Sequence, residues 1–547
     1  MKIRKQAAED NMVDDARVLI VDDDEVVISI ITSILKREKY ITDSCYSGEE
    51  ALQIVKDKEY ELVLLDVNLG QGLDGYETCK LMQKSHPELP VILVTASQDD
   101  ESVNKGFEAG SADYIKKPVS RLELLARVNN TITRKRAERY NLHLIDALRE
   151  DLHTAANIQQ AMLPKWVFMD DQLVFSSYYE PCEAIGGDLF DRIKLSDSKY
   201  VVYIGDVSGH GVQAALLMSA IKSTIKLMIE ADSKGSKMTE LFTKLNERLY
   251  NDLVLQSNYL TLLMGEIDLE EREIRFLNAG HPPLIKLNTI TGKIQILDQK
   301  GSLPLGWMPG TQYLEEDIER LTLCSTDIFL LYTDGIYECT NPQKQQFGID
   351  GIKKLLESTE ERNTCLTVPF KIIDYLSENK FETELDDFTL FSFQALHADN
   401  RAICPPSLVK MFHYLLRAAL REVGNTAQEC EQLMLNWTGD RVLASKVELI
   451  VDEFLNNIIV YGYNYQEDAE IILEFRLSDD LLSITFWDKG IKWAPESMNY
   501  NVKEPYDFAP DGQSHSGRGV KIIMSISNRF ERRRYGHLNE TKVEIDL

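Results

Sequence analysis

Residues 199–211 read KYVVYIGDVSGHG, an apolar strand that delivers Asp206 into a turn containing Gly209 and Gly211. The stretch decides between three chemistries. A serine nucleophile needs a strained G-x-S-x-G elbow, and Ser208 follows Asp206 and Val207 instead. His210 is too near Ser208 in the chain for a base assembled by a fold, and no orienting partner accompanies it. A phosphate-cradling loop needs G-x-x-x-x-G-K-[ST], which the sequence lacks. A carboxylate metal site is left. Acids at other strand ends support it: Asp188 in GGDLFD, Asp334 in LLYTDGIYE, and Asp386 and Asp387 in TELDDFTL. Oxygen-only ligands suit Mg2+ or Mn2+ rather than zinc. Two such ions sharing a carboxylate can activate water for in-line attack on a phosphoryl group.

The rest of the chain has room for more than this site. Its 547 residues exceed one ordinary domain, and 44% hydrophobic residues supply several cores. A net charge of −28 argues against an extended nucleic-acid surface. The basic runs TRKRAER and RFERRRYG are short and flanked by acids, as solvated faces are. The eight cysteines form no C-x-x-C or Cys/His cluster, so reduced thiols in a cytoplasmic protein are expected. No apolar run approaches 18 residues, and no membrane span is expected.

From residue 16 to 130, apolar strands alternate with amphipathic helices, the pattern of a parallel sheet covered on both faces. Asp22, Asp23 and Asp66 fall at the carboxyl ends of strands, where such sheets place their sites. A carboxylate cluster with a divalent ion can present Asp66 as a nucleophile to a phosphoryl donor. The Thr95 hydroxyl and the Lys117 ammonium at neighbouring strand ends would hold the phosphoryl oxygens. These residues resemble a response-regulator receiver domain with a flavodoxin-like five-stranded parallel sheet. The resemblance implies phosphorylation at Asp66 and Mg2+ held by Asp22, Asp23, Asp66 and the Asn68 carbonyl. It further implies Thr95 and Tyr114 as the switch pair, with Lys117 as the charge partner. One departure stands out: DVNLGQGLDG has Gly70 where a proline is usual.

The ordered set NIQQAMLP, GGDLFD, IGDVSGHG, NAGHPPLI, YTDGIYE and DDFTL resembles the PP2C-type (PPM) serine/threonine phosphatases, in the SpoIIE/RsbU-like branch. It implies an α+β domain, a β-sandwich flanked by helices. Asp206 would bridge two Mn2+ or Mg2+ ions with help from the Val207 carbonyl. Asp188, Asp334, Asp386 and Asp387 would complete the sphere. Ser208 and His210 are read as structural, and Asp191 and His281 as motif members without an assigned role.

Toward the C-terminus, LVKMFHYLLRAALREVG reads as a helix, followed by a second helix in VELIVDEFLNNIIVYGY. The latter sets Glu453 and Asn457 four apart on one face. A glutamate can act as general base toward a hydroxyl, and an asparagine oxygen can bind Mg2+ carried on ATP. FWDKG and SHSGRGVKIIMSIS follow. This resembles the Bergerat (GHKL) ATP-binding fold of RsbW-like serine kinases. It implies Glu453 as base, Asn457 as Mg2+ ligand, Asp488 on the adenine, Gly490 shaping the pocket, and Gly517 and Gly519 at the phosphates.

The expected layout is a flexible 1–15, a receiver over 16–133, a helical and coiled-coil-like linker over 134–165, a phosphatase over 166–396, a linker over 397–407, and a kinase over 408–547. In that linker Ile145, Leu148, Leu152, Ala155, Gln159 and Met162 form an apolar-weighted seam, and a homodimer through the 121–164 helix is expected. The three parts together resemble the bacterial partner-switching response regulators HsbR and CrsR. That resemblance implies a sensor histidine kinase or phosphotransfer protein upstream and a STAS-domain anti-sigma-factor antagonist as substrate. A sigma factor is a possible direct partner, with stress-response control as the outcome. Two alternatives stay open. In one, a catalytically poor C-terminal domain only captures a partner; the other is a hybrid histidine kinase using His153.

Overall fold

The computed structural model describes residues 16–96, 100–231, 237–254, 258–297, 302–358, 363–383, 385–396, 410–467, 469–491 and 518–547. The chain forms two compact units, Met1–Asp151 and Leu152–Leu547. In the first, strands β1 (Arg17–Val21), β2 (Ile41–Cys45), β3 (Leu62–Asp66), β4 (Val91–Thr95) and β5 (Asp113–Lys116) alternate with helices. The helices are α1 (Glu25–Arg37), α2 (Gly48–Asp57), α3 (Gly75–Ser85) and α4 (Asp100–Glu108). The sheet is parallel in the order β2-β1-β3-β4-β5. β3 and β4 are buried throughout, which is why their sequences do not alternate. Asp24, Ser47 and Asp74 start α1, α2 and α3 by accepting first-turn backbone N–H groups.

Gly70 has φ +71°, a region closed to the proline usual at that position. The departure in sequence is thus a different loop conformation beside Asp66. A Cβ on Gly75 would lie 2.2 Å from the Asp66 carbonyl oxygen, so only glycine lets α3 begin this close to the end of β3. Helix α5 runs Arg121–Met162 without interruption. Its first turns bury Leu124, Val128 and Ile132 in the receiver core. Further along, Leu142, Ile145 and Leu148 are exposed.

The second unit begins as two antiparallel sheets. One has the order β14-β11-β10-β9-β8, the other β13-β12-β15-β16-β7-β6. In chain order these are β6 (Val167–Met169), β7 (Leu173–Glu180), β8 (Asp188–Lys194), β9 (Lys199–Val207), β10 (Leu260–Asp268), β11 (Glu273–Ala279), β12 (Leu284–Asn288), β13 (Ile294–Leu297), β14 (Ile318–Thr322), β15 (Asp327–Tyr332) and β16 (Phe388–Ala395). β9 shows why its sequence is apolar on both faces. Val202 and Ile204 enter the layer between the sheets, while Val201, Tyr203 and Val207 meet the helical layer outside. That outer layer is α6 (Gly211–Ala231) and α7 (Met238–Val254). By length and composition α6 could cross a membrane; here it buries Met218, Ile221 and Ile225. Against the other sheet lie α8 (Asp334–Glu338), α9 (Gly348–Ser358) and α10 (Val368–Glu378).

The remaining sheet has the order β17-β18-β19-β21-β20. Its strands are β17 (Lys410–Arg417), β18 (Glu470–Leu477), β19 (Leu481–Asp488), β20 (Arg529–Tyr535) and β21 (Leu538–Asp546). The helices are α11 (Leu420–Thr438), α12 (Arg441–Asn457) and α13 (Arg518–Ile526). Residues 410–417 correct the reading from sequence: they form an edge strand, and the helix starts only at Leu420. Met, Leu and Arg favour helix weakly. An eight-residue antiparallel pairing with β18 overrides that preference, and a cross-strand bond from His413 Nε2 to Glu474 Oε2 (2.8 Å) reinforces it.

Each face of this sheet has its own core. Leu482, Ile484 and Phe486 of β19 point to the α11–α12 side. Trp487, with Ile472 and Leu538, joins the cluster that holds Phe370 of α10 and Tyr178 of β7. Tyr178 stacks on His537 (6.4 Å), and Gly536 N–H donates to Asp374 Oδ1 (3.0 Å). The seven described cysteines are all unpaired, while Cys404 lies outside the described residues.

Candidate active sites

Three acidic or polar sites emerge, one at each group of strand ends singled out in the sequence. In the receiver, Asp22, Asp23 and Asp66 each bring an oxygen within 4.8 Å of the others. Among the described residues no other His, Cys, Asp or Glu trio is as tight. Lys117 Nζ reaches Asp22 Oδ2 (2.8 Å) and Asp66 Oδ2 (2.9 Å). Burial pushes the Asp66 carboxyl up, the Lys117 bond opposes this, and the Asp22 charge adds to the rise. One ammonium does not balance three acids, so the donor set fits a divalent cation. Thr95 is buried at the end of β4, and its carbonyl accepts from Lys117 N–H (2.7 Å). Tyr114 packs edge-on to Phe107 (6.3 Å) and beneath the Arg127 guanidinium. Asn68 offers its backbone N–H to Asp66.

In the second unit the β8–β9 register sets Asp188 directly opposite Asp206. Thr333 Oγ1 (2.8 Å) and Thr389 Oγ1 (2.5 Å) both donate to Asp188 Oδ2. The other oxygen, Oδ1, is buried and has no hydrogen-bond partner among the described residues. Burial and the charge of Asp206 hold the Asp188 carboxyl well above the ordinary range. Asp206 is raised by burial and by Asp334, Asp386 and Asp387. Burial also raises Asp334, and lifts Asp386 to about 6. An orphaned buried oxygen among like charges fits a bound divalent cation, which supplies what protons supply poorly.

Asp387 also holds backbone. Its Oδ1 accepts from Cys182 N–H (2.9 Å) and its Oδ2 from Gly187 N–H (2.5 Å), fixing the loop that leads into Asp188. The preceding residue is gripped from α5: Gln159 Nε2 donates to Gly186 O (2.8 Å), and Gly186 N–H donates to Gln159 Oε1 (3.1 Å). Gln159 is therefore seated on this loop rather than on a free helix seam. A Cβ on Gly186 would lie 2.4 Å from Asp387 Oδ2.

Ser208 exchanges two bonds with Tyr259: its N–H donates to the Tyr259 carbonyl (2.9 Å), and its Oγ accepts from Tyr259 N–H (2.8 Å). His210 is exposed, and its Nδ1 meets Glu183 Oε1 (3.2 Å). Asp191 pairs with Lys222, which is buried in α6 and also donates to the Phe190 carbonyl (2.7 Å). His281 is fully buried. Its Nδ1 meets Thr261 Oγ1 (2.9 Å), and burial pushes its pKa down to about 3 from 6.5.

The His281 shift sets a pH dependence. Below pH 6.5 the unfolded chain protonates this imidazole while the folded chain does not, so stability is lost as pH falls toward 3. His281→Gln should remove that loss. In chelator-treated protein its stability relative to wild type should improve on acidification, by up to about 1.4 kcal/mol per pH unit. Urea unfolding between pH 7 and 5 measures the difference; a constant offset would refute the assignment.

In the last sheet Asp488 is buried at the end of β19. Its Oδ1 accepts from Gly490 N–H (2.8 Å) and Asn539 Nδ2 (2.7 Å). Burial raises its carboxyl despite those bonds. A Cβ on Gly490 would come 2.9 Å from the Gly462 backbone, so the chain passes here only as glycine. Glu453 and Asn457 lie on α12, both half-buried. Asn457 Nδ2 is buried with no hydrogen-bond partner among the described residues, which fits a polar ligand such as nucleotide phosphate with its cation. Gly519 is the second residue of α13, and Gly517 lies outside the described residues.

Several contributors escaped the sequence reading. Gln159 lay in the NIQQAMLP motif and Thr333 stood next to Asp334, so both were within sight. Thr389 likewise lay in the DDFTL motif, whereas Lys222 and Asn539 had no local signal.

Comparison with known proteins gives three matches along the chain. The response regulator receiver domain model matches residues 18–129, the stage II sporulation protein E (SpoIIE) model residues 196–395, and the histidine kinase-like ATPase domain model residues 416–545. The transcriptional regulatory protein YvrH of Bacillus subtilis (strain 168) is 37% identical over 123 residues, which are 22% of this chain. The chain spans about half the length of that relative, 51%. Among solved structures, the RsbU and RsbW domains of Rv1364c from Mycobacterium tuberculosis are 21% identical, over 68% of this chain and 92% of that one, with a TM-score of 0.35. The SiaA PP2C domain of Pseudomonas aeruginosa is 20% identical, over 46% of this chain and 98% of that one, with a TM-score of 0.39. The chain thus carries, one after another, a response regulator receiver domain, a SpoIIE domain and a histidine kinase-like ATPase domain.

Proposed function

We propose that this protein controls a sigma factor by partner switching. Its phosphatase domain removes phosphate from a serine or threonine of a STAS-domain anti-sigma-factor antagonist, and its C-terminal domain puts it back using ATP. The observation that carries the reading is the Asp188–Asp206 pair, with a buried Asp188 oxygen that has no hydrogen-bond partner among the described residues. Divalent ions held by Asp188, Asp206, Asp334, Asp386 and the Val207 carbonyl would supply Lewis acidity and an acidified water for in-line attack. Thr333 and Thr389 orient Asp188, while Asp387 and Gln159 fix the Gly186–Gly187 loop.

In the C-terminal domain Glu453 takes the proton of the substrate hydroxyl, Asn457 binds the Mg2+ carried by ATP, and Asp488, steadied by Asn539, reads the adenine. Gly517 and Gly519 contact the phosphates. Both reactions at once would only consume ATP, so a choice is needed. Phosphorylation of Asp66 by a sensor histidine kinase or phosphotransfer protein, with Mg2+ at Asp22, Asp23 and the Asn68 carbonyl, makes it. Thr95, Tyr114 and Lys117 read the phosphoryl group, and the phosphorylated state favours dephosphorylation. The exposed Leu142, Ile145 and Leu148 support pairing of α5 in a cytoplasmic homodimer.

The test uses the full chain, labelled ATP and a purified STAS-domain antagonist. Label should reach a serine or threonine of the antagonist and fall at least about a hundredfold in Glu453→Ala, the loss expected of a general base. Acid-labile label on His153 would overturn the assignment in favour of a histidine kinase.

A further inference from the structure

The turn after Asp206 is bordered by apolar side chains that no part of the described chain covers. Val212 and Leu216, one helical turn apart at the start of α6, are 50% and 67% exposed. Joined to the same turn through Tyr259 are Trp307 and its neighbour Met308, 52% and 49% exposed. Trp307 is linked to the turn by direct contact: its ring meets Tyr259 edge-on (4.7 Å, 62°), and Tyr259 exchanges two backbone-level bonds with Ser208.

The loop that carries Trp307 is held in place. Asn246 of α7 is fully buried. Its Oδ1 accepts from Gly306 N–H (2.9 Å), and its Nδ2 donates to the Met308 carbonyl (3.0 Å). One buried amide therefore clamps both neighbours of Trp307. Just upstream, Leu305 and Leu260 exchange backbone bonds (2.8 and 2.9 Å). A buried amide that fixes an exposed tryptophan is the arrangement of a preorganised anchor, in which little ordering entropy is left to lose on binding.

We propose that Trp307, with Met308, Val212 and Leu216, is the surface on which the protein substrate of the phosphatase docks, and that Trp307 determines specificity for a protein over a small phosphate ester. The inference rests on the phosphatase reading above. What occupies the surface follows from where it is. A phosphoserine or phosphothreonine brought to Asp206 carries its polypeptide across the Ser208–Gly211 turn, and these four side chains border that turn. The docking contribution is apolar and lies outside the metal site, so it lowers KM for the protein and does nothing for a ligand too small to reach it.

The experiment compares Trp307→Ala and Leu216→Gln with wild type on two substrates: a serine-phosphorylated STAS-domain antagonist and p-nitrophenyl phosphate, both with Mn2+. Wild-type turnover of p-nitrophenyl phosphate, with Asp206→Ala as blank, checks the phosphatase reading separately. The expected result is a tenfold or larger rise in KM for the phosphoprotein in Trp307→Ala, a smaller rise in Leu216→Gln, and p-nitrophenyl phosphate turnover within twofold of wild type. Unchanged KM for the phosphoprotein in both variants would overturn the proposal. So would an equal loss on both substrates, which would place Trp307 in support of the metal site. Conversion of a dimer to a monomer with phosphoprotein kinetics unchanged would make this a contact between copies of the chain and would also overturn it.

Discussion

Asp206→Ala is expected to abolish Mn2+-dependent release of serine-bound phosphate and, at the same time, to raise the melting temperature of the metal-free protein. Both follow from one fact: Asp206 is a half-buried acid facing Asp188, Asp334 and Asp386. With ions bound, its loss removes the shared ligand. The fall in turnover should exceed the roughly 10–100-fold that an outer-shell partner costs. Without ions, the same change relieves like-charge repulsion and the desolvation of a carboxyl group. Thr389→Val is the control, because it removes only a donor to Asp188 Oδ2 and should fall within that lesser range. Phosphate release and thermal unfolding, each with Mn2+ and with chelator, give the four numbers needed. Normal turnover in Asp206→Ala would refute the site.

Trp487→Ala is expected to cost about 3–5 kcal/mol, the usual penalty for truncating a buried aromatic to alanine. The loss should be felt in both catalytic domains of the second unit. Trp487 is 1% exposed and belongs to a sheet of the ATPase domain, yet it packs in the cluster built mainly from phosphatase residues. Around it, Lys489 Nζ sits over the Trp166 (5.8 Å) and Phe370 (5.4 Å) rings. Calorimetry on wild type should give one transition for these domains, shifted downward in the variant with phosphatase inactivation following it. Two separated transitions, with the phosphatase one unmoved, would contradict a shared core.

Much of this was legible because the chemistry sits at strand ends. Asp22, Asp66, Asp206 and Asp488 each stand at the close of an apolar run and Asp188 opens one, and an acid at the end of an apolar strand is visible one residue at a time. The signal fails where a role depends on contacts far along the chain. Thr389 lies 201 residues from Asp188, and Asn539 lies 51 from Asp488. Neither type of residue is unusual where it stands. Residues 410–417 were misread for a related reason: local preference was weak, and pairing with a strand more than fifty residues away decided the outcome. Asp387 was expected to hold metal like its neighbour; its oxygens also accept from the Cys182 and Gly187 backbone N–H groups, a second role that the sequence did not signal.

The contribution of Leu538 to the core around Phe370 and Tyr178 also bears on synthesis. β21 follows the other described strands in chain order, so it is synthesised after them. Until then the apolar cover of α10 lacks Leu538, even though the strands carrying the metal-site acids have already emerged. A nascent chain at this stage exposes a surface suited to chaperone binding. A product shortened before β21 would keep that surface open, making it a target for proteolysis rather than an unregulated phosphatase. The late strand thus acts as a completeness check on the enzyme that precedes it.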